Sequence, residues 1–316
     1  MSKVNCRVSR KVSLPINKDI THQEFIPQAL KFEDNKKVLE QVAIAIQKNL
    51  PVLLIGETGS GKTSLIRYLA ENTKNAFRRV NHNGGTTVDD IIGKILVNDK
   101  GTFWVDGVLV DAMRKGYWYL ADEINAAAPE INFVYHSLLD DDGYVVLIEN
   151  QGEIVRPHPN FRFFAAMNPP MTYAGTKELN KALMSRFMVV KTEFPAPKIE
   201  IKILVERTGI DKDKADKMIK FSAEVRANHS NEKYDFVLST RDLLMWANMF
   251  KFYGRYISSA EMTILNKVGP DDFESIKDLL SMHFLKLDEN ANKEAKEKQK
   301  LAKEEKRLAQ IKPLIK

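Results

Sequence analysis

The chain predicts an α/β core built on a parallel sheet, then a small all-helical domain and a charged helical tail. Three observations carry this. Candidate strands at 52–55, 77–81, 117–121 and 161–167, all but the second of them apolar runs, alternate with stretches of helical spacing, as in a sheet whose strands are joined by helices. The first run breaks into a glycine-rich turn that re-emerges as a helix. Beyond Phe194-Pro195-Ala196-Pro197, which breaks the chain, only helical spacing remains. The expected divisions are an extension over 1–30, the core over 31–195, a helical domain over 196–287 and the tail over 288–316.

Composition narrows the class. A chain of 316 residues can bury a sizeable core and suggests about two domains. No apolar run approaches the ~20 residues needed to span a bilayer, and the first residues lack an apolar signal core. Cys6, the single cysteine, excludes an intramolecular disulfide and a cysteine zinc cluster, and fits a reducing cytoplasm. The six histidines have no metal-ligand spacing, so core or surface roles are expected of them. The net charge of +6 invites a nucleic-acid reading. Its placement argues against one: residues 1–18 contribute +5 and residues 288–316 contribute +3, leaving the body at −2. Solvated ends account for the excess better than a basic face.

In chain order, Lys11 to Ile16 reads as an extended piece lying over the body. Apolar positions Val38, Leu39, Val42, Ile44, Ala45 and Ile46 make a helix within 33–48. Val52 to Ile55 is a buried strand, followed by Gly56-Glu57-Thr58-Gly59-Ser60-Gly61-Lys62-Thr63 and the helical run from Ser64 to Ala70. Strand, G-x-x-x-x-G-K-T, helix is the phosphate-binding loop in its confirming context. The glycines let the backbone curl so that successive N–H groups face phosphate oxygens, and the helix start adds its positive end. Lys62 supplies a full charge to the β- and γ-phosphates, and Thr63 offers a hydroxyl to Mg²⁺. Residues Gly56 through Ser64 are therefore the candidate nucleotide-binding set.

Phe77 to Asn81 is a second strand, and Thr87 can cap a helix from Val88 to Gly93. Lys100 to Val110 reads as one or two short strands leading into a helix that ends near Arg114. Phe103 and Trp104 are either an exposed grip on a substrate or aromatics packed on the body. Tyr117 to Ala121 is an apolar strand ending in Asp122-Glu123, the acidic partner of the phosphate loop. Asp122 would hold Mg²⁺ through water, and Glu123 would orient or deprotonate the attacking water. A helix over Glu130 to Leu139 precedes Asp140-Asp141-Asp142-Gly143. That run reads as a solvated turn, because it lacks the alternating ligand spacing of a calcium loop. A hairpin over Tyr144 to Arg156 and a buried strand ending at Asn168 follow.

The order Gly-Glu-Thr-Gly-Ser-Gly-Lys-Thr, Leu-Ala-Asp-Glu-Ile-Asn and Pro-His-Pro-Asn-Phe-Arg-Phe-Phe-Ala-Ala-Met-Asn-Pro resembles an AAA+ ATPase. Tyr173 to Asn180, with Leu183-Met184-Ser185-Arg186-Phe187, narrows the resemblance to the MoxR branch. Its relatives include the gas-vesicle, nitric-oxide-reductase and rubisco activator ATPases and the small ATPase subunit of cobalt chelatase. The similarity covers roughly residues 33–255. It implies a three-layer P-loop core with a helical lid, ATP and Mg²⁺ as ligands, and a ring, most often a hexamer. By position, Asn168 matches the sensor-1 polar residue, Arg186 the arginine finger that reaches a neighbouring subunit's nucleotide, and Arg241 in Ser239-Thr240-Arg241 the sensor-2 phosphate contact. A surface salt bridge is the competing reading for Arg186, and an ordinary surface arginine for Arg241. The segment 100–114 matches the branch's insertion in helix 2, which favours packing for Trp104.

The resemblance implies an ATPase ring that remodels a partner protein, with one bearing a von Willebrand A domain as the partner to look for. The alternatives are the motor subunit of a metal-chelatase complex and a nucleic-acid-stimulated NTPase similar to restriction-system GTPases. A small phosphotransferase would leave Arg186, the insertion and the hairpin without a purpose.

Overall fold

The computed structural model describes residues 5–9, 12–19, 21–28, 36–169 and 178–311. Two compact units divide the chain, Met1–Pro195 and Ala196–Lys316. The motif residues Tyr173 to Lys177 lie outside the described residues.

In the first unit, β1 (Asn5–Arg7) and β2 (Ser13–Pro15) form a small antiparallel ribbon. Leu14 is buried with residues of α1 (Lys36–Gln47), so the extended piece does lie on the body. The central sheet holds β3 (Val52–Ile55), β4 (Phe77–Asn81), β7 (Trp118–Asp122), β10 (Arg162–Met167) and β11 (Met188–Lys191). Its order is β11-β3-β10-β7-β4, and every pairing is parallel. Between these strands come α2 (Lys62–Asn72), α3 (Val88–Ile92), β5 (Gly93–Asn98), β6 (Gly101–Asp106), α4 (Val108–Lys115), α5 (Pro129–Leu138), β8 (Val145–Leu147), β9 (Glu153–Val155) and α6 (Lys181–Met184).

The three inner strands, β3, β10 and β7, are buried on both faces, which explains their continuous apolar runs. Alternation within each strand sends neighbours to opposite cores. Val52, Leu54, Trp118, Leu120, Phe164 and Ala166 pack with α1 and α2. Leu53, Tyr119, Ala121, Phe163, Ala165 and Met167 pack with α3, α4 and α5. This is the three-layer arrangement expected from the sequence.

Local signals fix several element ends. Thr87 accepts from the Asp90 amide while Asp90 accepts from the Thr87 amide, a capping box that starts α3. One strand was not anticipated. The expected helix ends at Ile92, and Gly93–Asn98 then pairs in full with Gly101–Asp106 across the turn at Asp99-Lys100. The run Lys94 to Asn98 is exposed along its length, so no alternation of burial marks it as a strand. Trp104 packs on the core and donates to Asp106 at 2.7 Å, whereas Phe103 is exposed. The two aromatics thus take different roles. Asp140, Asp141 and Asp142 lie in an exposed turn, as expected.

The second unit packs α7 (Pro197–Thr208), α8 (Lys212–Ser230), α9 (Thr240–Tyr253), α10 (Tyr256–Thr263) and α11 (Pro270–Ile311) around Phe221, Trp246 and Phe284. The sequence suggests separate helices over 273–284 and from 288 onward. The structure carries one helix through both, since neither Gly nor Pro interrupts it. Asp288 is buried and accepts from the amides of Tyr256 and Ile257 at 2.9 Å, so it helps start α10.

Candidate nucleotide site at the strand ends

The parallel register lines up Ile55 with Met167, Ala166 with Asp122, and Asp122 with Asn81. The carboxyl ends of β3, β10, β7 and β4 therefore finish at one edge, where open α/β sheets bind ligands. The loop 56–61 leaves this edge and enters α2 at Lys62. Gly61 adopts φ 92°, in the left-handed region that favours glycine, and serves as the N-cap of α2. At Gly56 a Cβ would lie 2.2 Å from the backbone oxygen of Thr192, so only hydrogen fits. Ser60 Oγ sits 3.0 Å from Thr192 Oγ1, tying the loop to the end of β11.

Four residues singled out in the sequence meet here in two pairs. The buried Lys62 ammonium donates to Asn168 Oδ1 at 3.0 Å and to the carbonyls of Gly56 at 2.6 Å and Glu57 at 3.0 Å. Thr63 Oγ1 donates to Asp122 Oδ2 at 2.8 Å. Asp122 is buried, and Oδ1 accepts from the Glu123 amide at 3.2 Å. The chain reverses at Glu123, whose φ of 55° is uncommon for a side-chain-bearing residue. Consecutive residues thus hold a buried carboxylate at Asp122 and an exposed one at Glu123.

Two further residues belong to this edge and carry no motif. Arg79 Nη2 lies 2.8 Å from Asp122 Oδ2 and 3.3 Å from Asn81 Oδ1. His82 donates its amide to the Asp122 carbonyl at 2.9 Å. Its buried imidazole places Nε2 2.8 Å from Tyr135 Oη, which is 2.8 Å from Tyr119 Oη. Burial pushes the His82 pKa down to about 4, with the Asp122 charge opposing the fall. Only an alternation count from Phe77 could have drawn attention to Arg79, since it places Arg79 and Asn81 on the face of Leu120 and Asp122. No sequence signal marks His82.

Arg186 is engaged within its own chain. It ion-pairs with Asp140, Nε at 2.9 Å, and Nη1 donates to the Ala182 carbonyl at 2.6 Å. Arg241, in the second unit, is exposed at the start of α9, where Ser239 and Asp242 form a capping box.

A phosphate-binding loop entering a helix from the edge of a parallel sheet, beside a strand ending in Asp-Glu, defines a P-loop nucleotide-binding protein. Residues 51–187 match the family described as "AAA domain (dynein-related subfamily)", and residues 200–283 match the "CbbQ/NirQ/NorQ C-terminal" family. Protein CbbQ of Hydrogenophilus thermoluteolus is 30% identical over 210 residues, 66% of this chain and 77% of that protein. The aerobic cobaltochelatase subunit CobS of Sinorhizobium sp is 30% identical over 253 residues, 75% of this chain and 74% of that subunit. Midasin of Dictyostelium discoideum is 36% identical over 220 residues, 67% of this chain. The chain spans only 4% of that midasin and 3% of the one from Giardia intestinalis. The chain belongs to the MoxR-type AAA+ ATPases.

Among the described residues, no helix is long and apolar enough to cross a membrane.

Proposed function

We propose that the protein binds ATP with Mg²⁺ at the strand-end site and hydrolyses it in a ring oligomer, a hexamer by analogy, to remodel a partner protein in the cytoplasm. The observation that supports this best is the pairing of Lys62 with Asn168 and of Thr63 with Asp122 at one sheet edge. The loop amides and Lys62 would bind the phosphates, with Glu57, Thr58, Gly59, Ser60 and Ser64 completing the cradle. The donor set fits Mg²⁺, because a threonine hydroxyl and a buried carboxylate oxygen 2.8 Å apart are both hard oxygen donors. Bound there, the ion would neutralise charge on the β- and γ-phosphate oxygens. Glu123 would orient and deprotonate the attacking water, with Asn168 helping to place it.

Charge that grows on the γ-phosphoryl oxygens calls for a guanidinium, and Arg186 of an adjacent subunit is the candidate. That role requires Arg186 to leave Asp140 when the ring assembles. Arg241 would contact phosphate from the lid. A partner with a von Willebrand A domain suits this class of motor. Similarity to CobS favours a second reading, the motor subunit of a metal-chelatase-like complex, which would need larger partner subunits.

Glu123→Gln tests the first reading. The variant should bind ATP as the wild type does, lose about 10²- to 10⁴-fold in turnover and retain its partner in a pull-down. Turnover at the wild-type rate would remove Glu123 from the chemistry.

A further inference from the structure

The function proposed above leaves unexplained why an arginine rests on the carboxylate assigned to the metal. Asp122 Oδ2 takes two donors, the Thr63 hydroxyl and Arg79 Nη2, both at 2.8 Å. The strand register creates this contact. Asn81 stands beside Asp122 in the β4–β7 pairing and Arg79 beside Leu120, so the parallel strands put all four side chains on the face of α2. The carboxylate is nearly buried, with 8% of its side chain exposed, while the arginine side chain is 46% exposed. One partner is thus fixed and the other has room to swing toward solvent. A second hydrogen bond, from Arg79 to Asn81 Oδ1 at 3.3 Å, lies along the same edge.

We propose that Arg79 is a positioning residue that serves as a built-in counter-cation for Asp122 and competes with the divalent metal of the nucleotide complex. The guanidinium balances the buried carboxylate and holds Oδ2 against the Thr63 hydroxyl before metal arrives. A divalent ion at Thr63 and Asp122 brings two positive charges beside the guanidinium. The like charges repel at this spacing, and the half-exposed arginine is the member that can move away. Metal binding therefore breaks the Arg79–Asp122 ion pair. An ion pair with one partner buried and the other half exposed sits toward the upper end of the surface range, a factor of about three- to fivefold in metal affinity.

This inference rests on the nucleotide-site reading, and its test separates the two. Fluorescent nucleotide binding is measured first with EDTA. Mn²⁺ is then titrated into the nucleotide-bound protein and the free ion followed by its paramagnetic resonance signal, so no turnover is required. Arg79→Gln should leave metal-free nucleotide affinity unchanged and tighten Mn²⁺ binding about three- to fivefold. Arg79→Met, neutral and of similar length, should behave the same way and covers the case in which the glutamine variant folds poorly. Arg79→Lys keeps the charge and should stay near wild type. Unchanged or weaker Mn²⁺ binding in both neutral variants overturns the competition. So does a loss of metal-free nucleotide affinity, which would make Arg79 a phosphate contact. If the wild type itself binds no nucleotide, the site reading fails instead.

Discussion

Lowering the pH should loosen the core unit through His82. The imidazole is fully buried, and its pKa falls from 6.5 to about 4 in the folded chain. Between those values the unfolded chain binds the proton and the folded chain does not, so stability is complete above pH 6.5 and falls as pH drops toward 4. Each pKa unit corresponds to about 1.4 kcal/mol, which gives a loss of about 2 kcal/mol at pH 5 and about 3 kcal/mol at pH 4. Nδ1 is buried without a hydrogen-bond partner among the described residues, so nothing in place would accept the added proton's hydrogen bond. Carboxylates titrate in the same range, and a difference measurement removes them. Urea unfolding of the wild type and His82→Gln is compared at pH 7, 5 and 4. Both carry Trp246→Phe, so that Trp104 and Trp118 report the core unit alone. The wild-type advantage should shrink by about 2 kcal/mol between pH 7 and pH 5. A difference that stays constant with pH would refute the reasoning, because the imidazole would then titrate alike in both states.

Two other perturbations test the remaining pieces. Arg186→Ala subunits and Lys62→Ala subunits should each be inactive alone, yet a mixture should regain part of the ATPase rate; no recovery would place the arginine's action within one chain. In the helical unit, Arg226 grips Glu200 with two bonds of 2.8 Å and donates to the Leu238 carbonyl, and Thr240 also donates to the buried Glu200. Arg226→Leu strands that carboxylate and should cost about 3–5 kcal/mol in urea unfolding followed by Trp246 fluorescence. Adding Glu200→Leu should recover most of the loss, and a double variant as unstable as the single one would count against an unpaired charge as the cause.

The phosphate loop and the acidic strand end were legible because their chemistry is local. The loop needs glycine at fixed spacings, here Gly56, Gly59 and Gly61, and the strand, turn and helix around it follow from a dozen consecutive residues. Asp122 and Glu123 could be read for the same reason, as could the capping threonine of α3. Strand β5 escaped because it is exposed on both faces and so lacks an alternating pattern. The long α11 was divided in expectation because charge composition changes near Asp288, although the backbone has no reason to stop there. Asp288 itself looked like the start of a solvated tail, yet two amides of α10 bury it.

Residue order alone thus established the loop, its nucleotide-binding character and the apolar strands of the core, since each depends on neighbours within a few positions. Which side chains share a carboxylate was settled by strand order and register. Placing β4 beside β7 brings Arg79 to Asp122 and His82 to Tyr135, although 43 and 53 positions separate them in the chain. No local propensity encodes such pairings. They arise because parallel strands joined by helices stack distant segments at one edge, where each side chain's direction follows from the pleat.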